Sequence, residues 1–285
     1  MESVLGIDVG FSKRKRTTGL CLLTVEGTFL KDIQTRRAKT DCESRNHELL
    51  ELIPNGAHLA MAAVDGPLMP GLSYEVNIPY RQAERLLSRG ELFQRRCKPG
   101  QSNSPAGRCL HKHATALAHL LLKMQDKGYL LVKPIAHNER LCEYGIVEAF
   151  PNAFLAMLLS DAWFKQEGEV VRTNRFDHYW EAALRESDGL PRLFSALSLD
   201  WASARDCLRT ISNHDERDDL VCAITALAVA RRRYCAVGSS QDGWIILPPV
   251  SAWGLVADGI EPWAKNVSDA NILVYSEAEV KYYHL

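Results

Sequence analysis

"HDERDDLVCAITALAVA", residues 214–230, places four acidic residues directly before an almost wholly apolar run. Asp215 and Asp218 stand three residues apart, so a helix that begins here projects both from one side of its first turn. The apolar run predicts that this helix is buried all round. Acids at the mouth of a buried helix lose hydration unless a positive charge lies beside them. The stretch therefore indicates either a metal ion or nearby arginines, with helix capping by an acid as the simpler alternative.

Short apolar runs elsewhere predict the strands of a sheet. Residues 4–9, 18–25 and 28–33 follow one another through short connections, which favours an antiparallel meander of three strands. A helix at 44–53 and a strand at 58–64 then favour a right-handed crossover onto a parallel neighbour. The other predicted elements are helices at 79–88 and 114–124 and strands at 129–132, 146–150, 242–249 and 271–275.

Three of the predicted strands end on an acidic residue. These are Asp8 in "GIDVG", Asp65 in "AAVDGP" and Glu148 in "IVEAFP". A single acid at a strand end most often begins a turn or caps a helix. In open α/β sheets, however, functional groups gather where strand ends and helix N-termini converge. Carboxylates gathered there raise one another's pKa, and Mg²⁺ or Mn²⁺ would relieve that conflict.

Length and composition favour one elaborated domain over residues 1–285. The chain is 46% hydrophobic, and no internal repeat or long linker divides it. Residues 152–209 are helical and charged in pattern, so we expect a helical insertion there. The N-terminus lacks the apolar region of a signal peptide, and no apolar run is long enough to span a bilayer. We therefore expect a cytoplasmic protein with reduced thiols and no membrane partner.

A basic loop follows the first predicted strand. The formal net charge of -1 gives no general attraction to polyanions, so contact with nucleic acid must come from local patches. Lys13, Arg14, Lys15 and Arg16 form such a patch close to Asp8. A basic cluster is more often a solvated face than a contact site. The functional hypothesis is that these four residues hold the phosphate backbone of a nucleic acid.

The order of the motifs resembles a family of predicted nucleases of the RNase H-like superfamily, domain-of-unknown-function family 429. The resemblance covers about residues 4–249 and is carried by "GIDVG" with a hairpin after it, "AAVDGPL", "VEAFPNAF", "HDERDDLVCAITALA" and "DGWIILP". It implies an α/β fold of RNase H-like type, in which a mixed sheet of three antiparallel strands plus parallel strands is flanked by helices. It also implies a metal-dependent nuclease that hydrolyses phosphodiester bonds of DNA or RNA by a two-metal-ion mechanism.

The resemblance also implies which residues form the site. Asp8, Asp65 and Asp218 would be the metal ligands, with Asp8 central, and the ion would be Mg²⁺ or Mn²⁺. Asp215 and Glu148 would be additional catalytic acids. This chain carries Asp219 where the family has a small residue, which leaves open whether the first or the second acid of the pair Asp218-Asp219 faces the site.

Other functional classes stay open from the sequence. A catalytically inactive module of the same fold would bind nucleic acid or protein without cleaving anything. "GIDVG" with its hairpin also resembles the first phosphate motif of actin-like kinases, although the chain lacks their glycine-paired motif near the C-terminus. Zinc-type ligands occur at a non-standard spacing in Cys97, Cys109, His111 and His113.

Overall fold

The computed structural model describes ten ranges of the chain. These are residues 1–54, 57–68, 80–88, 100–125, 145–167, 175–185, 189–239, 243–254, 271–276 and 279–284. The strands are β1 Glu2–Asp8, β2 Thr18–Glu26, β3 Phe29–Ala38, β4 Leu59–Asp65, β5 Ile146–Ala149, β6 Tyr234–Ser239, β7 Gly243–Leu247, β8 Asn271–Ser276 and β9 Glu279–His284. The helices are α1 Cys42–Leu52, α2 Gln82–Ser88, α3 Pro105–Gln125, α4 Pro151–Leu158, α5 Asp161–Glu167, α6 Arg175–Ala183, α7 Leu190–Ala196, α8 Trp201–Thr210 and α9 His214–Ala230.

The strands form one mixed sheet in the order β3-β2-β1-β4-β5-β7-β6-β8-β9. The first three strands of the chain pair antiparallel, whereas β4 and β5 continue the sheet from β1 in parallel. Strand β7 is parallel to β5, and β6, β8 and β9 extend the sheet by antiparallel pairing. The predicted α/β fold with a mixed sheet flanked by helices is therefore confirmed.

Some elements differ from their prediction. Strand β3 continues to Ala38 rather than ending at residue 33, because its polar second half also pairs with β2. This half lacks the apolar residues from which a strand is predicted. Helix α3 begins at Pro105 rather than at residue 114. Its first turns are partly exposed and polar, so they do not show the apolar pattern from which the helix was predicted. Strands β6 and β9 are not predicted by the sequence pattern, and the strand predicted at 129–132 lies outside the described residues. In the segment of the predicted insertion, the described residues form helices α4 to α8.

Two apolar layers cover the sheet. Helix α9 and helices α4 to α8 pack on one face, and α1 and α3 pack on the other. Alternation along the strands decides which face each side chain takes, so Val4 joins the α9 layer and Leu5 the opposite one. No helix within the described ranges is long and apolar enough to cross a membrane.

Helix α9 lies directly on the backbone of β1 at Gly6. A Cβ atom at this position would stand 2.1 Å from the carbonyl oxygen of Asp219 and 2.2 Å from the backbone nitrogen of Ala223. Both are backbone atoms of α9, which cannot move aside as a side-chain end can. The absence of a side chain at Gly6 therefore sets how closely α9 approaches the sheet.

We expect Gly6→Ala to lower the free energy of unfolding by more than about 3 kcal/mol, because the new methyl group overlaps the helix backbone. Gly100→Ala is the matched control, since a Cβ atom there would have no neighbour within 4 Å among the described residues. The control should change the free energy by less than about 0.5 kcal/mol. Urea unfolding measures both variants, and equal small effects would contradict the close contact at Gly6.

Candidate metal centre

One row of paired residues crosses the sheet near the ends of β1 and β4. Arg37 on β3 pairs with Gly19 on β2, Gly19 pairs with Asp8 on β1, and Asp8 pairs with Asp65 on β4. Side chains of directly paired residues point to the same face of a sheet. Gly6, two residues before Asp8, lies under α9, so this row projects on the α9 face. The fold thus brings the two predicted acids of β1 and β4 side by side.

The first turn of α9 supplies further acids above this row. Asn213 caps the helix, because its side-chain oxygen accepts a hydrogen bond from the backbone nitrogen of Asp215 at 3.0 Å. The capping role that the sequence allowed for an acid therefore belongs to Asn213. Asp215 is half exposed at the rim, where its Oδ2 lies 3.6 Å from Nη1 of Arg37.

Asp219 faces Arg37 in the protein interior. It is fully buried, and a Cβ atom on Gly19 would stand 2.7 Å from its Oδ2. Nη2 of Arg37 lies 3.8 Å from that oxygen. Neither terminal nitrogen of Arg37 nor either carboxylate oxygen of Asp219 has a hydrogen-bond partner among the described residues. The two side chains therefore interact as charges rather than through a hydrogen bond.

Asp218 faces the acidic pair. Its side chain is 17% exposed, and its Oδ2 lies 3.3 Å from Nε2 of His214. Burial, and then the negative charges of Asp8 and Asp65, together raise the pKa of Asp218 to about 10. Of the two adjacent acids on α9, Asp218 is the one whose pKa both Asp8 and Asp65 raise, whereas Asp219 is affected by Arg37 and Asp8.

The acidic group is short of positive charge. Burial raises the pKa of Asp8 to about 6, even though Arg37 acts in the opposite direction. Burial, and then the charges of Asp8 and Glu148, raise the pKa of Asp65 well above its ordinary value. Across the described part of the chain, no hydrogen bond or ion pair reaches the carboxylate of Asp8 or of Asp65. An unneutralised oxygen-rich group of this kind suits a hard divalent cation.

Metal ligands need closer grouping than the carboxylates now have. Within the described ranges, no three His, Cys, Asp or Glu side chains already form a group that could hold a metal ion. Uncompensated carboxylates repel one another, which opposes such a group before a cation enters. The carboxylate oxygens of Asp8, Asp65 and Asp218 are nevertheless the donor type that Mg²⁺ or Mn²⁺ prefers.

Glu148 lies apart from this group. It pairs in register with Val64 rather than with Asp65, so its side chain leaves the opposite face of the sheet. There it accepts two hydrogen bonds from Arg81, one of them at 2.8 Å, and one from the backbone nitrogen of Leu68 at 3.3 Å. Glu148 is thus neutralised by a buried arginine and acts on Asp65 only through its charge.

Two arginines that the sequence did not assign to the acidic site complete the electrostatics. Arg37 stands in the row with Asp8, and Arg81 binds Glu148 across the sheet edge. Extending β3 to the end of its polar segment would have placed Arg37 opposite Gly19. No local signal links Arg81 to the site, because Glu148 is 67 residues away from it in the chain.

The basic loop between β1 and β2 has free and bound members. Arg16 donates a hydrogen bond to Glu48 at 2.9 Å. Lys13, Arg14 and Lys15 are exposed, and no ion pair reaches them within the described residues. The loop keeps its shape because the Ser12 hydroxyl accepts hydrogen bonds from the backbone nitrogens of Arg14, at 3.3 Å, and Lys15, at 2.9 Å. Three of the four predicted contact residues therefore present unpaired charge to solvent.

The alternative zinc ligands are only partly described. Cys97 lies outside the described residues, and Cys109 is exposed at the start of α3. Nδ1 of His111 lies 2.7 Å from the carbonyl oxygen of Pro67. His113 packs edge-on against Phe11.

No protein-family model matches the sequence, and comparisons with curated proteins and with solved structures found no similar protein. The resemblance to the RNase H-like nucleases therefore depends on the motifs themselves. The family, the activity and the metal are proposals that the geometry of the acidic group must support.

We expect Arg37→Met to lower the free energy of unfolding by about 1–3 kcal/mol at pH 8, because it leaves the buried carboxylate of Asp219 without a cation. Arg36→Met is the matched control on the same strand, since the side chain of Arg36 is 45% exposed and lies 3.8 Å from Glu48. The control should change the free energy by less than about 1 kcal/mol. Urea unfolding of the metal-free proteins measures both, and equal losses would show that Asp219 does not depend on Arg37.

We expect metal-free Asp218→Asn to be more stable than the wild type at pH 8 by roughly 1–3 kcal/mol. The folded-state pKa of Asp218 is raised from 3.8 to about 10, so folding opposes its ionisation. This opposition is absent below pH 4 and grows as the pH rises toward 10, so the two proteins should be equally stable at pH 4. Asp206→Asn, at a side chain that is 79% exposed, should match the wild type at both pH values. A pH-independent gain would contradict the burial of the acid.

Proposed function

We propose that this protein is a metal-dependent nuclease with an RNase H-like fold, which hydrolyses phosphodiester bonds of nucleic acid. The observation that carries the proposal is the pairing of Asp8 with Asp65 on adjacent parallel strands, with Asp218 directed at them from α9. The three antiparallel strands followed by two parallel ones agree with the sheet that the resemblance implies. The position of the last acid on a helix that crosses β1 agrees with it as well.

The three aspartates would hold Mg²⁺ or Mn²⁺, with Asp8 between its two partners. The bound ion would supply a water of lowered pKa and would neutralise charge on the phosphate oxygens. Asp215 stands at the solvent rim of the group, where it can accept a hydrogen bond from an entering water. Glu148 keeps a supporting role, since its charge raises the pKa of Asp65 and so strengthens the demand for a cation.

The exposed basic residues of the β1–β2 loop would bind the substrate backbone. Lys13, Arg14 and Lys15 lie in the loop after the strand that carries Asp8. This loop contacts α1 and α3 through Arg16 and Phe11, so a phosphate chain at the acidic group would reach the three basic residues across the strand ends. Arg16 would hold the loop in place through Glu48 rather than contact the substrate. Contacts of this kind carry no sequence information, so the loop favours binding without sequence preference.

A second candidate is a module that binds nucleic acid without cleaving it. The pair of Arg37 and Asp219 favours this alternative, because it places a cation beside the acidic group without any metal. The same pair is compatible with catalysis, since Arg37 has no contact with Asp65 or Asp218 among the described residues. Measured turnover separates the two candidates.

The decisive experiment incubates the full chain with Mg²⁺ or Mn²⁺ and a panel of single-stranded, duplex, hybrid and branched nucleic acids. We expect the wild type to cleave at least one substrate, and Asp8→Asn and Asp65→Asn to lower the rate by about 10²-fold or more, because each removes a ligand. Asp206→Asn should keep full activity. Calorimetric titration with Mn²⁺ should show binding to the wild type and not to Asp8→Asn. If the wild type binds metal but cleaves no substrate, the result would favour the binding module. If it neither binds metal nor cleaves any substrate, the metal site is rejected.

We expect replacement of Lys13, Arg14 and Lys15 by alanine to reduce the slope of log K against log salt by about 3, which is one phosphate contact for each residue. Lys123→Ala, near the distal end of α3, should leave the slope unchanged. Fluorescence anisotropy with a labelled oligonucleotide between 50 and 200 mM KCl, in Ca²⁺, measures both. An unchanged slope in the triple variant would place the nucleic-acid contact elsewhere.

A further inference from the structure

A cavity of about 360 Å³ opens at the ends of β4 and β5. Its size falls in the range of small-molecule sites in proteins, about 300–1,000 Å³. Asp65 lines this cavity, so a group bound there would lie next to the proposed metal centre. The apolar part of the wall includes Phe11, Pro67, Leu110, Phe150 and Ile245.

The polar floor of the cavity is a buried ion network. Arg81 donates hydrogen bonds to both oxygens of Glu148 and, through Nε, to Glu84 at 3.0 Å and to Ser102 at 3.2 Å. Burial opposes the charge of Arg81, but the two glutamates raise its pKa above the ordinary value. The guanidinium is therefore occupied by protein carboxylates and is not offered to a ligand.

The charge of the lining decides what can enter. Among the described residues of the lining, one guanidinium, from Arg81, faces three carboxylates, from Asp65, Glu84 and Glu148. A phosphate or another anion would be repelled by this excess of negative charge. A neutral, flat group that carries N–H donors on its edge would be accepted, because its faces can pack on the apolar wall and a donor can meet the carboxylate of Asp65, which accepts no hydrogen bond from the described residues.

The mouth of the cavity connects to the basic loop. Phe11 is 50% exposed and belongs to the same β1–β2 loop as Lys13 and Lys15. A strand whose phosphates follow the basic side chains would therefore pass an exposed aromatic ring at the cavity mouth. Aromatic side chains beside a basic groove are the usual platform on which unpaired bases stack.

We propose that this cavity receives one unstacked nucleobase of the strand whose phosphate lies at Asp65, so that the substrate is single-stranded or locally unpaired nucleic acid. The inference rests on the proposed nuclease function and adds the substrate class to it. A base held in a duplex cannot reach such a cavity, because its faces are stacked and its donors are paired. Charge thus separates the two groups of the nucleotide. The phosphate lies toward the basic loop and the metal, and the base lies toward the carboxylates of the cavity.

The test fills the cavity from α3. Ala106 lines the cavity, and Ala106→Trp places a large ring at its mouth. Ala116→Trp is the matched control, since Ala116 stands on the same helix and lines a different depression, with Cys42 and His119. The substrates are single-stranded DNA and RNA 12-mers, the corresponding duplexes, and a series in which one base at a time is replaced by an abasic site.

We expect removal of the base at one fixed position from the cleaved bond to lower kcat/KM by about tenfold or more in the wild type. Ala106→Trp should lower cleavage of the intact strand by a similar factor, and it should cleave the abasic strand as the wild type does. Ala116→Trp should behave as the wild type. Fully paired duplexes cut as fast as single strands, or no sensitive position, would overturn the inference. The DNA and RNA arms show which sugar the strand carries.

A binding measurement separates this inference from the nuclease proposal. Strands with one 2-aminopurine are titrated with protein in Ca²⁺, and the fluorescence changes when that base leaves the stack for the cavity. The wild type and Ala116→Trp should give the change, and Ala106→Trp should not. A change that depends on residue 106 without any cleavage would support the base site and reject the nuclease. Cleavage with the same fluorescence response in all three proteins would reject the base site alone.

Discussion

The contact between α9 and the backbone of β1 at Gly6 determines where the acids of α9 lie relative to those of the strands. The backbone atoms of Asp219 and Ala223 leave no room for a Cβ atom at Gly6, so the helix packs directly on the backbone of the strand. This packing places the first turn of α9 over the row that contains Asp8. The acids on the helix and the acids on the strands then share one small volume, although they are far apart in the chain.

This volume holds more negative charge than the protein neutralises. Arg37 offsets the charge of Asp219, and Asn213 takes over the capping of α9, so neither task uses Asp218. Burying Asp8, Asp65 and Asp218 near one another costs free energy. Within the described residues, no hydrogen bond to Asp8 or Asp65 recovers it. Proteins keep such arrangements where a ligand removes the conflict, which is why unneutralised buried acids point to function more strongly than exposed ones do.

The sequence was sufficient for those features that depend on local pattern. Strands that end on Asp8 and Asp65 and a buried helix after His214 follow from apolar periodicity, and the structure has all three. The sequence could not predict whether Asp218 or Asp219 faces the acids of the strands. Successive side chains on a helix differ in direction by about 100°, and only packing decides which side of the helix faces the sheet. The sequence could not predict the position of Glu148 either. Side chains alternate between the two faces along β5, but only the pairing of Glu148 with Val64 shows which face Glu148 takes.

That register also links the two sites at this edge of the sheet. Asp65 and Glu148 lie on neighbouring strands, one residue out of step, so they leave opposite faces while both border the same cavity. Arg81 binds Glu148 and leaves Asp65 without a partner among the described residues. Were Arg81 paired with Asp65 instead, the proposed metal would lose a ligand, and the cavity floor would still be acidic. The arginine thus neutralises the carboxylate that belongs to the cavity floor, and the carboxylate on the α9 face stays available for a cation.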